Sequence, residues 1–158
     1  PLLFGEWAFV LNGFVPEFRP RHMRELRSNL PDDLYGRLAG SSDSETLFLL
    51  CVAALREGAS EQEALMSTAG LVYARVGTEE AQLTMVIADG RSITALRSSN
   101  VAATNSLYVA ERPELAPGGV VVASEPVDGS VWEAVPGHSW IRVEAGGRVG
   151  SDAFLANG

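Results

Sequence analysis

This sequence of 158 residues has few cysteine and histidine side chains, the types that most often act as nucleophiles, bases or metal ligands. It has one cysteine, Cys51, and two histidines, His22 and His138, too few and too scattered to predict a zinc site. Cys51 lies in the apolar run LFLLCVAAL, so we expect a buried thiol with a raised pKa rather than a nucleophile. His138 precedes Ser139 in VPGHSW, but adjacent residues rarely face each other. A histidine in a loop is therefore favoured over hydrolytic chemistry there.

Two further features remain as candidates. Asn12-Gly13 closes the strand-forming run GEWAFVLNGFV, and this dipeptide is the commonest pair in two-residue hairpin turns. Asp43 lies in GSSDSETLFLL, at the expected start of an apolar helix, where the helix dipole stabilises a carboxylate. The simple interpretations are a turn for the dipeptide and a helix-start residue for Asp43. Neither feature indicates a function by itself.

Length and charge limit the class of protein. The chain is long enough for one domain with a sizeable core. Its 12 basic and 20 acidic residues give a net charge of −8, which argues against nucleic acid or an anionic membrane as a partner. The longest apolar run is far too short to span a bilayer, and no signal-peptide pattern opens the chain. A single cysteine fits a reducing compartment, so we expect a cytoplasmic protein.

The elements that must position these candidates begin with one strand and three helices. Residues 6–12 favour a strand, and PEFRPRHMRELRSNL favours a helix because its apolar residues recur at helical spacing. After the turn-rich segment PDDLYGRLAGSS, Ser42-x-x-Glu45 and Ser60-x-x-Glu63 each form a capping box, which predicts a helix start. We expect the two capped helices to form one layer.

From residue 81 the apolar period changes to two. QLTMVIADGRSITALRS predicts two strands joined by Asp89-Gly90, and the first is apolar on both faces, as in a sheet covered on both sides. SLYVAER, GGVVVASEP and SWIRVEA predict further strands, and GGRVGSDAF a last one. The order of a strand, helices and then antiparallel strands predicts an α+β class with layered sheets.

In combination, these segments resemble the class II glutamine amidotransferases. PLLFGEWAFVLNGFV is followed about thirty residues later by GSSDSETLFLL, and then by the hairpin and VVVASEP. The resemblance covers nearly the whole chain and is greatest to the small single-domain group that includes the γ-glutamyl hydrolase of ergothioneine biosynthesis. It implies an N-terminal-nucleophile hydrolase fold, a four-layer αββα sandwich with antiparallel sheets. Residues 1–158 would be the C-terminal two-thirds of one such domain, without its first elements.

The resemblance also implies roles for the candidate residues. Asn12, through its side-chain amide, and Gly13, through its backbone N–H, would form an oxyanion hole, with donors worth roughly 3 kcal/mol each in comparable sites. Asp43 would pair with the α-ammonium of a glutamyl substrate. The family's nucleophile is an N-terminal cysteine, which attacks the γ-carbonyl and forms a glutamyl thioester that water then hydrolyses. That mechanism requires no metal and no organic cofactor.

The sequence departs from the family's pattern in two respects. The nucleophile cysteine, and an arginine that binds the substrate α-carboxylate, would precede PLLF, so we expect residues 1–158 alone to be inactive. Leu11 stands where the family usually has a histidine. The expected function is hydrolysis of a γ-glutamyl amide, either glutamine or a conjugate such as an ergothioneine precursor. The cysteine would lie on another segment or chain. The alternative is a non-catalytic amidotransferase-like protein that binds a glutamyl ligand or a partner.

Overall fold

A computed structural model describes residues 1–112, 114–115 and 117–144, together with the backbone of 147–153. A five-residue π-helical turn, Phe18–His22, precedes the first α-helix. None of the helices in these ranges is long and apolar enough to cross a membrane. The helices are α1 (Met23–Arg27), α2 (Asp32–Tyr35), α3 (Asp43–Arg56) and α4 (Glu61–Val76).

The strands of the described residues form two antiparallel sheets. They are β1 (Leu2–Phe4), β2 (Trp7–Phe14), β3 (Gln82–Ala88), β4 (Ser92–Ser99), β5 (Tyr108–Glu111), β6 (Val120–Ala123), β7 (Glu133–Ala134), β8 (Ser139–Glu144) and β9 (Gly147–Ala153). The larger sheet has six strands in the order β1-β2-β3-β4-β8-β9, and the smaller sheet has the order β6-β5-β7. Adjacent strands are antiparallel throughout both sheets.

Two apolar cores separate three layers. One core lies between the helices and the six-stranded sheet, where Leu83, Met85 and Ile87 of β3 are fully buried against α3 and α4. The other lies between the two sheets and includes Val109 and Ile141. The α+β class with layered antiparallel sheets is therefore confirmed. The described residues supply three layers of the expected four-layer sandwich: the helices, the six-stranded sheet and the three-stranded sheet.

The opening strand differs from the prediction of one strand at 6–12. Gly5 has a φ of 58° and turns the chain between β1 and β2, so the segment is a hairpin with a two-residue loop. β1 is short and pairs only with Trp7, Ala8 and Phe9. Beyond Phe9, β2 pairs with β3 alone among the described residues. One flank of β2 is therefore open at Asn12-Gly13.

The helix starts largely follow the capping signals. The Ser60 box is complete, with the Glu63 carboxylate accepting from the Ser60 N–H at 2.8 Å. Ser42 accepts from the Glu45 N–H, but the Glu45 carboxylate bonds the N–H groups of residues 39 and 40 instead of Ser42, so that box is only half formed. The helix predicted around Met23 is divided between the π-helical turn and α1. The turn-rich segment after it contains the short α2, an element that the sequence analysis missed.

The predicted hairpin at Asp89-Gly90 is confirmed. Gly90 has a φ of 82°, and the Asp89 carboxylate accepts from the N–H groups of Arg91 and Ser92 at 2.9 and 2.8 Å. The later predicted strands correspond to β5, β6, β8 and β9. The predicted segment for β9 includes residues 146 and 154, which lie outside the described residues.

Candidate functional site

Asn12 and Gly13 lie inside β2 and not in a turn. Asn12 is opposite Thr84 on β3, Gly13 is opposite Leu83, and the strand continues to Phe14. The simple turn interpretation is therefore wrong, because the backbone of β3 pairs with this whole stretch and keeps it extended. Asn12 is exposed and Gly13 is half-buried, so the pair reaches the surface at the end of the strand.

Gly13 allows β3 to approach β2 unusually closely. A Cβ placed at Gly13 would lie 1.9 Å from the carbonyl oxygen of Gln82, and side-chain carbons do not approach backbone atoms so closely. The glycine is thus required by the neighbouring strand, independently of any ligand. This steric requirement is a structural reason for glycine that the sequence does not reveal.

Asp43 is the first residue of α3 and is half-buried. Its Oδ2 accepts a hydrogen bond from the backbone N–H of Val15 at 3.1 Å, and its Oδ1 accepts from the N–H and hydroxyl of Ser44 at 2.7 and 3.3 Å. An ionised carboxylate has about four acceptor positions, so these three donors do not exhaust it. The Asp43 carboxylate therefore links the start of α3 to the residue after β2, and its oxygens can still accept a hydrogen bond from a cationic group.

The contact between Val15 and Asp43 brings the predicted site residues together. Val15 directly follows β2 and lies two residues after Gly13, while Asp43 is 28 residues farther along the chain than Val15. The carboxylate at the start of α3 thus lies beside the end of the strand that carries Asn12-Gly13. These are the residues that the sequence analysis had selected from separate segments.

Asn105, which the sequence analysis did not select, contacts the candidate site. Its side-chain Nδ2 donates to the backbone oxygen of Asn12 at 3.0 Å. Its own backbone is held on both sides, since its N–H donates to Gln82 Oε1 at 2.9 Å and its carbonyl accepts from Arg97 Nε at 2.6 Å. Arg97 also donates to the carbonyl of Val135. No sequence pattern marks Asn105, which follows β4 in an irregular polar segment.

A row of polar residues crosses three strands of the six-stranded sheet at the position of Asn12. Asn12, Thr84 and Arg97 are direct partners across β2, β3 and β4, and they share the face that points away from the helices. Thr84 is 2% exposed, and its hydroxyl meets no hydrogen-bond partner in the part of the chain that is described. Leu11 points to the opposite face and packs against the helix-side core.

Among the described residues, Cys51, His138 and Ser139 make no hydrogen bond to Asn12, Gly13 or Asp43. Cys51 is fully buried in α3, burial raises the pKa of its thiol to about 12, and its sulfur contacts Thr68 Oγ1 at 3.3 Å. Its prediction as a core residue is confirmed. Ser139 Oγ donates to the carbonyl of Pro136 at 2.6 Å, while His138 Nε2 lies 3.4 Å from the carbonyl of Ala102. The histidine and serine thus make separate contacts.

The described residues contain no group of three or more histidine, cysteine or acidic side chains that could hold a metal ion. The site at the end of β2 instead consists of an amide, a backbone segment without a side chain and a carboxylate. Such an arrangement can donate hydrogen bonds to an oxygen and accept them from an ammonium group. It contains no nucleophile of its own.

The sequence matches no protein-family model and no curated protein. Among solved structures, a glutamine aminotransferase class-II domain protein from Silicibacter pomeroyi is 26% identical with a TM-score of 0.76, and the alignment covers 97% of this chain and 69% of that one. A predicted glutamine amidotransferase from Pseudomonas aeruginosa PA01 is 18% identical with a TM-score of 0.59, covering 91% of this chain and 60% of the other.

A glutamine phosphoribosylpyrophosphate amidotransferase from B. subtilis, in complex with ADP and GMP, is 18% identical with a TM-score of 0.58. That alignment covers 96% of this chain but only 30% of the larger protein. The three likenesses support the resemblance to class II glutamine amidotransferases that the sequence analysis identified. The described residues have the mixed α+β fold, with antiparallel sheets, of class II glutamine amidotransferase and N-terminal-nucleophile hydrolase domains.

Proposed function

We propose that this chain carries the oxyanion-hole and glutamyl-binding parts of a cytoplasmic class II glutamine amidotransferase-like hydrolase. The observation that supports this most directly is the 3.1 Å hydrogen bond from the Val15 N–H to Asp43 Oδ2. It places a carboxylate beside the end of the strand that carries Asn12-Gly13. A γ-glutamyl substrate has a cationic α-ammonium at one end and the amide to be cleaved at the other, so it requires both features.

Each residue has a defined part in this reaction. Asp43 accepts hydrogen bonds from the substrate α-ammonium and thereby orients the glutamyl group. A cysteine thiolate from outside this chain attacks the γ-carbonyl carbon, and the side chain of Asn12 and the N–H of Gly13 donate to the oxygen that becomes negative. The α-amine of that cysteine takes up the thiol proton and passes it to the leaving amine, and water then hydrolyses the thioester to release glutamate and the free thiol. The substrate is glutamine or a γ-glutamyl conjugate such as an ergothioneine precursor, and no metal or organic cofactor takes part.

The open flank of β2 is where we propose that the cysteine-bearing segment or chain docks. Leu3, Val10 and Phe14 lie on the same face of the sheet as Asn12 and are 73%, 47% and 44% exposed. This apolar surface has no charged residue on β2 that would discourage strand pairing. A segment that covers it would bring its own residues next to Asn12.

The test begins with the native polypeptide from cells that carry the whole reading frame. Its intact mass and N-terminal sequence show whether a cysteine precedes this chain, and its turnover of L-glutamine and of γ-glutamyl-p-nitroanilide shows the activity. We expect Asp43→Asn to lower kcat/KM by about 100-fold, because the ammonium loses its charged partner. Asn12→Ala should lower kcat by about 100-fold. Asp32→Asn is the matched control, since Asp32 is also an acidic first residue of a helix.

Three results would contradict the proposal. They are turnover by residues 1–158 alone, equal kinetics of Asp43→Asn and Asp32→Asn, and a native polypeptide that has neither a cysteine of its own nor a partner that supplies one. In the last case, glutamate binding without turnover would favour the non-catalytic alternative. Thermal unfolding of each variant separates loss of folding from loss of binding.

A further inference from the structure

We propose that Asn105 is a positioning residue that fixes the orientation of the Asn12–Gly13 peptide unit, an inference that rests on the proposed function. Asn105 Nδ2 donates to the backbone oxygen of Asn12 at 3.0 Å, across 93 residues of sequence. The role goes beyond the three candidate residues because Asn105 itself contacts neither the glutamyl group nor the reacting atoms in the proposed reaction.

The argument depends on which peptide unit Asn105 contacts. The oxygen that accepts from Asn105 and the N–H of Gly13 belong to the same peptide group. That group is planar, and its oxygen and hydrogen point in opposite directions. Fixing the oxygen therefore fixes the direction of the Gly13 N–H. A hydrogen bond to the oxygen also polarises the group and strengthens its N–H as a donor.

The rest of the contact network holds Asn105 itself in place. Its N–H donates to Gln82 Oε1, and its carbonyl accepts from Arg97 Nε. Gln82 Nε2 also donates to the carbonyl of Ala103 at 3.1 Å. Because β3 and β4 hold the backbone of Asn105, its side chain is the part that is free to act on Asn12. Replacing this side chain leaves the two backbone anchors intact.

This hydrogen bond adds to the pairing of β2 with β3. For the Gly13 N–H to face the open flank of β2, the carbonyl oxygen of the same peptide group must face β3, where Asn12 is paired with Thr84. The Asn105 side chain is therefore a second donor at this oxygen, and it comes from a distant segment. The hydrogen bond to the Asn12 oxygen requires a side chain at position 105 that has a donor group and the length of asparagine.

The experiment compares Asn105→Ala and Asn105→Asp with Asn100→Ala. Aspartate keeps the shape of the side chain but removes the donor. Asn100 is a matched asparagine of the same segment, whose side chain donates to the carbonyls of Gly77 and Glu79 and accepts from the N–H of Ala81. The first readout is the ¹⁵N chemical shift and hydrogen-exchange rate of the Gly13 amide in residues 1–158. The second is kcat and KM of the native polypeptide on L-glutamine.

We expect both Asn105 variants to shift the Gly13 resonance and speed its exchange, whereas Asn100→Ala leaves the resonance unchanged even if it lowers the melting temperature. In the active polypeptide, kcat should fall about tenfold with KM unchanged, less than for loss of an oxyanion donor itself. An unchanged Gly13 resonance in Asn105→Ala overturns the inference, and so does an unchanged kcat in an active polypeptide. If the unmodified native polypeptide has no turnover, the proposed function fails, and the Gly13 resonance alone decides whether Asn105 orders the peptide.

Discussion

Gly13 has one part in the proposed reaction and another in the fold. The proposed reaction uses its backbone N–H, while the packing of β2 on β3 excludes a Cβ at this position because of the Gln82 carbonyl. The presence of glycine is therefore explained by the fold even without catalysis. Asp43 has a similar double character, since its carboxylate ties α3 to the residue after β2 and retains acceptor capacity for a ligand.

Substitution of Gly13 by alanine should destabilise the fold strongly. The new Cβ would force β2 and β3 apart, and we expect the free energy of unfolding to fall by about 3 kcal/mol in urea titrations. Gly70→Ala is the matched control, because Gly70 lies on the exposed side of α4, where an added methyl group would meet only open space. It should raise stability by about 1 kcal/mol. Equal effects of the two substitutions would contradict the close approach of β3.

At the scale of single elements, the junction between the π-helical turn, α1 and α4 contains a buried histidine. His22 is 2% exposed, and neither ring nitrogen has a hydrogen-bond partner among the described residues. Burial lowers the pKa of His22 below 6.5, and the nearby Arg75 and Arg21 guanidinium groups lower it further. Glu79 and Glu25, which pair with those arginines, oppose the shift. The folded protein therefore favours the neutral imidazole.

This shift predicts a loss of stability on mild acidification. Because the pKa is lower in the folded state, the unfolded chain binds more protons once the pH falls below 6.5, so the free energy of unfolding should decrease there. The measurement is urea unfolding at several values between pH 7 and pH 5, above the range in which the acidic side chains titrate. His22→Leu should flatten this dependence. A wild-type protein with flat stability over this range would contradict the prediction.

The elements differ in how well local sequence patterns predict them. Helices α3 and α4 and the β3–β4 hairpin were predictable because serine caps and Asp89-Gly90 act locally. The β1–β2 hairpin was missed although Gly5 could have indicated it, since a glycine at the first position of a two-residue loop supplies a positive φ. The sequence did not decide whether Asn12-Gly13 forms a turn or continues the strand, because the dipeptide suits both. Its pairing with β3 shows that the strand continues. The role of Asn105 depends on contacts across 93 residues, for which no local pattern exists.

At the scale of the whole molecule, the layers leave one apolar surface uncovered. The helices protect one face of the six-stranded sheet, and the three-stranded sheet packs against part of the other face through the second core. Leu3, Val10 and Phe14 remain exposed on that second face, next to Asn12. An exposed apolar face next to an unpaired strand flank favours contact with another segment or another chain.

Residues 1–158 in isolation should therefore self-associate through the flank of β2. We expect Val10→Lys to shift the sedimentation profile towards the monomer, because a charged side chain there opposes strand pairing and apolar contact. Val131→Lys is the control, since Val131 is 90% exposed but lies outside this flank. If both variants sediment alike, the surface around Val10 does not drive association.

The hydrogen bond from Asn105 to Asn12 also bears on the order in which the protein forms. During synthesis Asn12 is made 93 residues before Asn105, whose side chain binds the Asn12 carbonyl oxygen. The helices α3 and α4 and the strands β3 and β4 are made in between. Contacts between such distant residues require the closure of a long loop and depend on the elements that bring their ends together. The nascent chain therefore cannot complete this end of the sheet until most of the domain has left the ribosome, which delays any activity until the fold can support it.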